Sequence, residues 1–172
     1  MSRNSGVEDE MKALATILTV LLLASMALGQ DKAMATKPAD DKLIVIPGLP
    51  DCFKGFPVQG DPFKEAAIIY AKAAAGCNIP THWHTATENL TWINGAATIK
   101  MKGSADQALA PGMFVHLPGK HEHALKCTTS CTLYVITSGA FDIHYVDASG
   151  KEIPPDQALA GGKKPAAPAK KK

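Results

Sequence analysis

A chain of 172 residues, 46% hydrophobic and 20% charged, has the length and apolar content of one globular domain with tails. Its formal net charge is +2, a near balance that gives no reason to expect a nucleic-acid partner. Lys163, Lys164, Lys170, Lys171 and Lys172 crowd the last ten positions, so the folded part has no basic face to offer.

Residues 13–28 are apolar apart from Thr16, Thr19 and Ser25, follow Lys12, and lead to Ala27-Leu28-Gly29. A charged start, a short apolar middle and a small-residue exit are the marks of a secretory signal peptide. Residues 1–29 are expected to be removed, leaving a secreted or periplasmic protein that begins near Gln30. Glu8, Asp9 and Glu10 are unusual ahead of such a segment, and Met11 offers an alternative start. The rival reading is a permanent anchor. The run is shorter than the ~20 residues a spanning helix needs, so no stable membrane anchor is expected.

Residues 30–42 are polar and read as a flexible arm. Leu43-Ile44-Val45-Ile46 is a β-branched run stopped by Pro47-Gly48, the pattern of a short strand. Residues 49–61, rich in Pro, Gly and Asp, read as loop. Residues 63–75 carry many alanines with Lys64, Glu65 and Lys72, which favours helix on propensity. A strand is expected there only because the pattern that follows needs one.

That pattern is the stretch from Gly76 to Gly95. His82, His84 and Glu88 all sit at even positions, and on a strand residues i and i+2 point the same way. Glu88 joins the two histidines if the strand continues or bends only gently. Two imidazoles and a carboxylate are ligands for a divalent transition metal. A second stretch, Gly112 to Cys127, holds Pro118, His121 and His123.

Together these stretches resemble the cupin family. Gly76, His82, His84, Glu88 and Gly95 match its first motif without a gap, and Gly112, Pro118 and His123 match its second. Lys120 stands where the motif has glycine and Cys127 where it has asparagine. A glycine there permits a tight turn, so either Lys120 tolerates that backbone or the turn differs. The resemblance implies metal ligands His82, His84, Glu88 and His123, with His121 as a rival for the fourth place. It covers roughly residues 43–148.

After the first motif, residues 97–102 alternate as a strand, residues 103–112 connect, and residues 113–117, 132–138 and 141–147 read as further strands. His116 and His144 are taken as strand residues, not ligands. Cys127-Thr-Thr-Ser-Cys131 spans a three-residue connection, a common hairpin length, and its cysteines would face each other. That pairs Cys52 with Cys77; four free thiols are the alternative. Disulfides persist outside the cytoplasm. From residue 160 the Gly, Pro, Ala and Lys composition reads as a disordered basic tail.

The expected fold is all-β: one cupin-type antiparallel β-barrel, or jelly roll, over residues 43–159. The N-terminal arm would be free to pair with another subunit in a homodimer. The expected cofactor is one divalent metal ion, Fe, Mn, Ni, Co or Zn, since imidazole and carboxylate discriminate weakly among them. The expected partner is a small-molecule ligand or substrate. Cupins include oxygenases, isomerases and lyases, and equally non-catalytic binding modules, so fold does not decide between them. Tyr70, Tyr134, Tyr145, Lys120 and Glu122 are candidate second groups without a spacing that assigns a role. Trp83 points away from the histidines, while Trp92 is open to either pocket lining or core packing.

Overall fold

The computed structural model describes residues 34–36 and 38–160, so the signal-peptide reading and nearly all of the tail lie outside the described residues. The chain divides into residues 1–36 and residues 37–172, and the fold below is that of the second unit.

A 3-10 turn over Asp40–Lys42 leads into β1 (Ile44–Val45), β2 (Phe53–Gln59), β3 (Ala67–Ala73), β4 (Asn78–Trp83), β5 (Glu88–Asn94) and β6 (Ala97–Met101). Then follow β7 (Gln107–Leu109), β8 (Phe114–Leu117), β9 (His123–Cys127), β10 (Cys131–Thr137), β11 (His144–Val146), β12 (Glu152–Ile153) and α1 (Pro155–Ala160). All strand pairs are antiparallel. One six-stranded sheet runs β1-β2-β3-β10-β5-β8 and the other runs β12-β11-β4-β9-β6-β7. This is the jelly roll expected from the sequence. Among the described residues no helix is long and apolar enough to cross a membrane.

Period-two burial defines the inner face. In β10, Cys131, Leu133, Val135 and Thr137 are buried while their neighbours are half-exposed, and β3 buries Ala67, Ile69, Ala71 and Ala73 in the same way. The two sheets share one core, to which Leu133 from one and Ile99 and Leu125 from the other all belong. Residues 67–73 are strand, as the motif required and against their propensity. Ala71 and Ala73 are paired with Gly55 and Phe53, and burial on a sheet outweighs a propensity difference of a few tenths of a kcal/mol per residue. The start of the segment turns instead, because Asp61 Oδ1 accepts from Phe63 N and its carbonyl accepts from Lys64 N.

Four expectations need correction. Residues 49–61 are not wholly loop, since β2 pairs with β3. Residues 103–112 are not wholly a connector, since β7 pairs with β6. The short helix α1 closes the described residues where no helix was expected. Cys127-Thr-Thr-Ser-Cys131 is not a hairpin: β9 and β10 lie in different sheets, so the three residues carry the chain across the barrel end. The cysteine pairing nonetheless holds, with Cys127 bonded to Cys131 and Cys52 to Cys77, their Cα atoms 6.2 and 5.6 Å apart.

Two glycines within the motif stretches, Gly95 of the first motif and Gly119 beside Pro118, have identifiable packing reasons. Gly95 has φ +83°, and a Cβ on it would lie 2.0 Å from the Ser130 carbonyl oxygen. A Cβ on Gly119 would lie 2.5 Å from the Thr85 carbonyl oxygen. Its neighbour Lys120 takes φ 64° and donates its backbone N–H to the His84 carbonyl at 2.7 Å. Lys120 thus tolerates the left-handed backbone, and the tight turn of the second motif is seated on the first.

Candidate metal centre

His82 lies on β4, His84 just past its end, and His123 opens β9, whose register places it opposite His82. Glu88 opens β5, which belongs to the facing sheet. The strand does not continue from His84 to Glu88, as the parity reading supposed. The chain crosses between sheets at residues 85–87, and the carboxylate meets the imidazoles from across the barrel. All four side chains are buried, with relative exposures of 2% to 7%.

The imidazoles are oriented from behind. His82 Nδ1 donates to the Pro80 carbonyl at 2.7 Å, His123 Nδ1 to the His121 carbonyl at 2.9 Å, and His84 Nδ1 to the Asp142 carbonyl. A carbonyl only accepts, so each Nδ1 carries the proton and each neutral ring presents a bare Nε2 lone pair. One ligand nitrogen from each of the three histidines can be chosen so that all lie within 4.8 Å of one another. Glu88 Oε1 is 3.6 Å from His84 Nε2 and Oε2 is 3.4 Å from His123 Nε2. His84 Nε2 is buried without a hydrogen-bond partner. A buried nitrogen left bare costs roughly 1–3 kcal/mol, and a set of lone pairs aimed at a carboxylate calls for a cation. The donor set fits a divalent metal ion.

Electrostatics keep His82 and Glu88 in their ligating forms. Burial, followed by the neighbouring His123 and His84, holds the His82 imidazole well below its ordinary value and therefore neutral. Burial works to raise the Glu88 carboxyl, but positive charge at His84 and then His123, present when a proton occupies Nε2, outweighs it and brings it to about 2, hence ionised; a cation bound at the same place acts in the same direction.

His121 is only half-buried and lies outside the cluster of three imidazoles; its carbonyl serves His123. His116 faces outward, its Nδ1 2.7 Å from Asn89 Oδ1. Trp92 packs in the core, 1% exposed, with its indole N–H on the Gly95 carbonyl at 2.9 Å. Tyr145 puts its ring centroid 5.8 Å from that of His82, but its hydroxyl donates to the Gly48 carbonyl at 2.8 Å and burial raises its pKa. It is no ready proton donor. Among the described residues, neither Lys120 nor Glu122 lines the cavity in front of the cluster, and Glu122 pairs with Lys102 at 2.6 Å.

Sequence reasoning missed the latch behind His84. The carbonyl of Asp142 holds His84, while its carboxylate accepts from Thr85 N at 2.8 Å and sits 3.2 Å from His144 Nε2. His144 Nδ1 lies 2.7 Å from Glu152 Oε1, and the ring stacks on Trp83 at 3.9 Å. Residues 57 to 58 positions apart have no local signal that could reveal this. Burial works to lower the His144 pKa, but Glu152 and then Asp142 outweigh it and raise it. A histidine raised in the fold stabilises below its ordinary value of 6.5 and loses that contribution as pH rises through the folded value. An NMR titration of His144 is expected to give a midpoint above 6.5, and Glu152→Gln is expected to lower it. A midpoint at or below 6.5 would reject the latch.

No protein-family model matches the chain, and no curated protein matches it. Solved structures do. An acetylacetone dioxygenase from Acinetobacter johnsonii superposes with a TM-score of 0.55 at 14% identity, covering 78% of this chain and 96% of that one. A structure described as DMSP lyases RdDddP and RnDddQII gives 0.50 at 17% identity, covering 66% of this chain and 61% of that one. KdgF from a Halomonas species gives 0.47 at 18% identity, covering 58% and 92%. Such identities speak to architecture alone. The two facing sheets, the spacing of both motifs and the three converging imidazoles agree with it: this chain has the cupin fold.

Proposed function

We propose that this protein is an exported, metal-dependent cupin that binds one divalent ion through His82, His84, Glu88 and His123 and acts on a small metabolite. The observation that carries the reading is the three buried imidazoles whose Nδ1 atoms are engaged by carbonyls, with one nitrogen of each within 4.8 Å of the others and the Nε2 atoms of His84 and His123 facing Glu88. If six-coordinate, an ion held by four protein ligands keeps two positions for water or substrate, where it supplies Lewis-acid or orienting chemistry.

The cavity in front of the cluster favours chemistry at the ion over simple retention of it. Trp92 does not plug it, and the free space there is small, about 30 Å³ for the centre of a water molecule. Apart from His82, His84, Glu88 and His123, its lining among the described residues has no acid or base. Reactions of oxygenase, isomerase or lyase type that run on the ion itself suit such a site better than those needing a dedicated proton shuttle. The two disulfides suit an oxidising compartment and support export.

Elemental analysis of protein purified without a polyhistidine tag tests the reading. One equivalent of Fe, Mn, Ni, Co or Zn is expected, with iron pointing to oxygen chemistry and zinc to Lewis-acid work. Folded protein that takes up no divalent ion would overturn it and leave a non-catalytic binder of some small ligand.

A further inference from the structure

The lining that lacks a base also lacks any means of holding a charged substrate. Besides the four clustered groups, every side chain facing the cavity is Ile, Leu, Val or Phe, among them Leu49, Leu133 and Phe141. Among the described residues, no lysine, arginine or neutral hydrogen-bond donor side chain lines it to meet a carboxylate or phosphate. Phe141 stands with its ring centroid 5.0 Å from that of His84.

Charge balance then restricts what can enter. A divalent ion with the single carboxylate of Glu88 carries +1 in a buried, apolar surrounding. A ligand that brings one negative charge leaves the site neutral. A dianion leaves −1 with no partner, and a buried unpaired charge costs several kcal/mol. Size restricts it further. The space in which the centre of a water molecule can move is about 30 Å³, against roughly 10–15 Å³ for one water. The site has room for a coordinating head of a few atoms and not for a ring beside it.

Resting on the metal reading above, we propose that this site takes compact oxygen ligands that bind as monoanions through an otherwise aliphatic body, such as the enolate of a small carbonyl compound. Such a ligand reaches the protein as a neutral acid, gives its proton to the solvent and displaces water from the ion. It needs no basic anchor, and none is present.

The test uses cobalt(II)-loaded full-length protein and three chelators, with binding followed through the visible spectrum. Acetohydroxamic acid binds metals as a small monoanion. Oxalate has similar size and two charges. Benzohydroxamic acid has the same binding atoms and adds a ring. Relative to each chelator's affinity for aqueous cobalt, acetohydroxamate is expected to be favoured over oxalate by at least tenfold. It is also expected to bind at least tenfold more tightly than benzohydroxamate. Cobalt uptake followed by equal or tighter binding of oxalate, or of benzohydroxamate, overturns this inference alone. Failure to take up cobalt overturns the metal reading and this inference with it.

Discussion

His82→Ala and His84→Ala are each expected to abolish stoichiometric metal, lowering affinity by more than about 100-fold, the upper end of what loss of a mere supporting partner costs. Each substitution deletes one of three lone pairs whose direction is preset by a backbone carbonyl. No nearby group among the described residues stands ready to replace it. Glu88→Gln keeps the shape and removes the only negative charge in the cluster, so it should weaken metal binding while the protein stays folded. His116→Ala and His144→Ala are expected to keep one equivalent. The decisive comparison is His123→Ala, expected to lose the ion, against His121→Ala, expected to keep it. The reverse outcome would move the fourth ligand to His121.

Protons compete with the metal for the same atoms. Because burial holds His82 well below its ordinary value and Glu88 sits at about 2, metal release on acidification is expected to begin below pH 6.5, not at it. Equilibrium dialysis across pH 4–8 checks this. The metal-free fold follows the same sign. Both groups have folded values below their unfolded ones. Their contributions are therefore present above about 6.5 and 4.5 and are lost as pH falls, by up to about 1.4 kcal/mol per pH unit for each group.

The second large effect concerns stability. Replacing Cys52 and Cys77 together by serine removes a link across 25 positions. On the chain-entropy model that costs about 3.5 kcal/mol, equivalent to a Tm lower by on the order of 10 °C. Removing the Cys127–Cys131 bond, which closes only a separation of 4, should cost about 2 kcal/mol on the same model. The two links work on one end of the barrel, since Cys127 N donates to the Cys77 carbonyl at 2.9 Å and Gly76 N to the Cys127 carbonyl at 2.8 Å. The Cys52–Cys77 link also anchors the segment that brings Ile46, Leu49 and Phe53 to the cavity. Metal stoichiometry is expected to survive the double substitution at 25 °C. Denaturant melts of the two double variants measure both costs, and a larger loss from the shorter loop would reject the entropic account.

The amino-acid sequence by itself determined the fold class, through short β-branched runs between Gly and Pro turns, and singled out the candidate ligands, through spacing. It even pointed to the cysteine partners, with free thiols left as the alternative, although for a reason that fails: the three residues between Cys127 and Cys131 cross between sheets. Parity told correctly that His82 and His84 share a face, because they are two apart at the end of one strand. It could not tell why Glu88 joins them. Side-chain alternation is a property of a single strand, and Glu88 arrives from the opposite sheet, where only the closure of the jelly roll brings it within 3.6 Å of His84. The latch of Asp142, His144 and Glu152, and the aliphatic walls drawn from strands on both sheets, are likewise invisible in sequence. They depend on contacts between residues far apart along the chain, and no local periodicity encodes which distant strand end a side chain will meet.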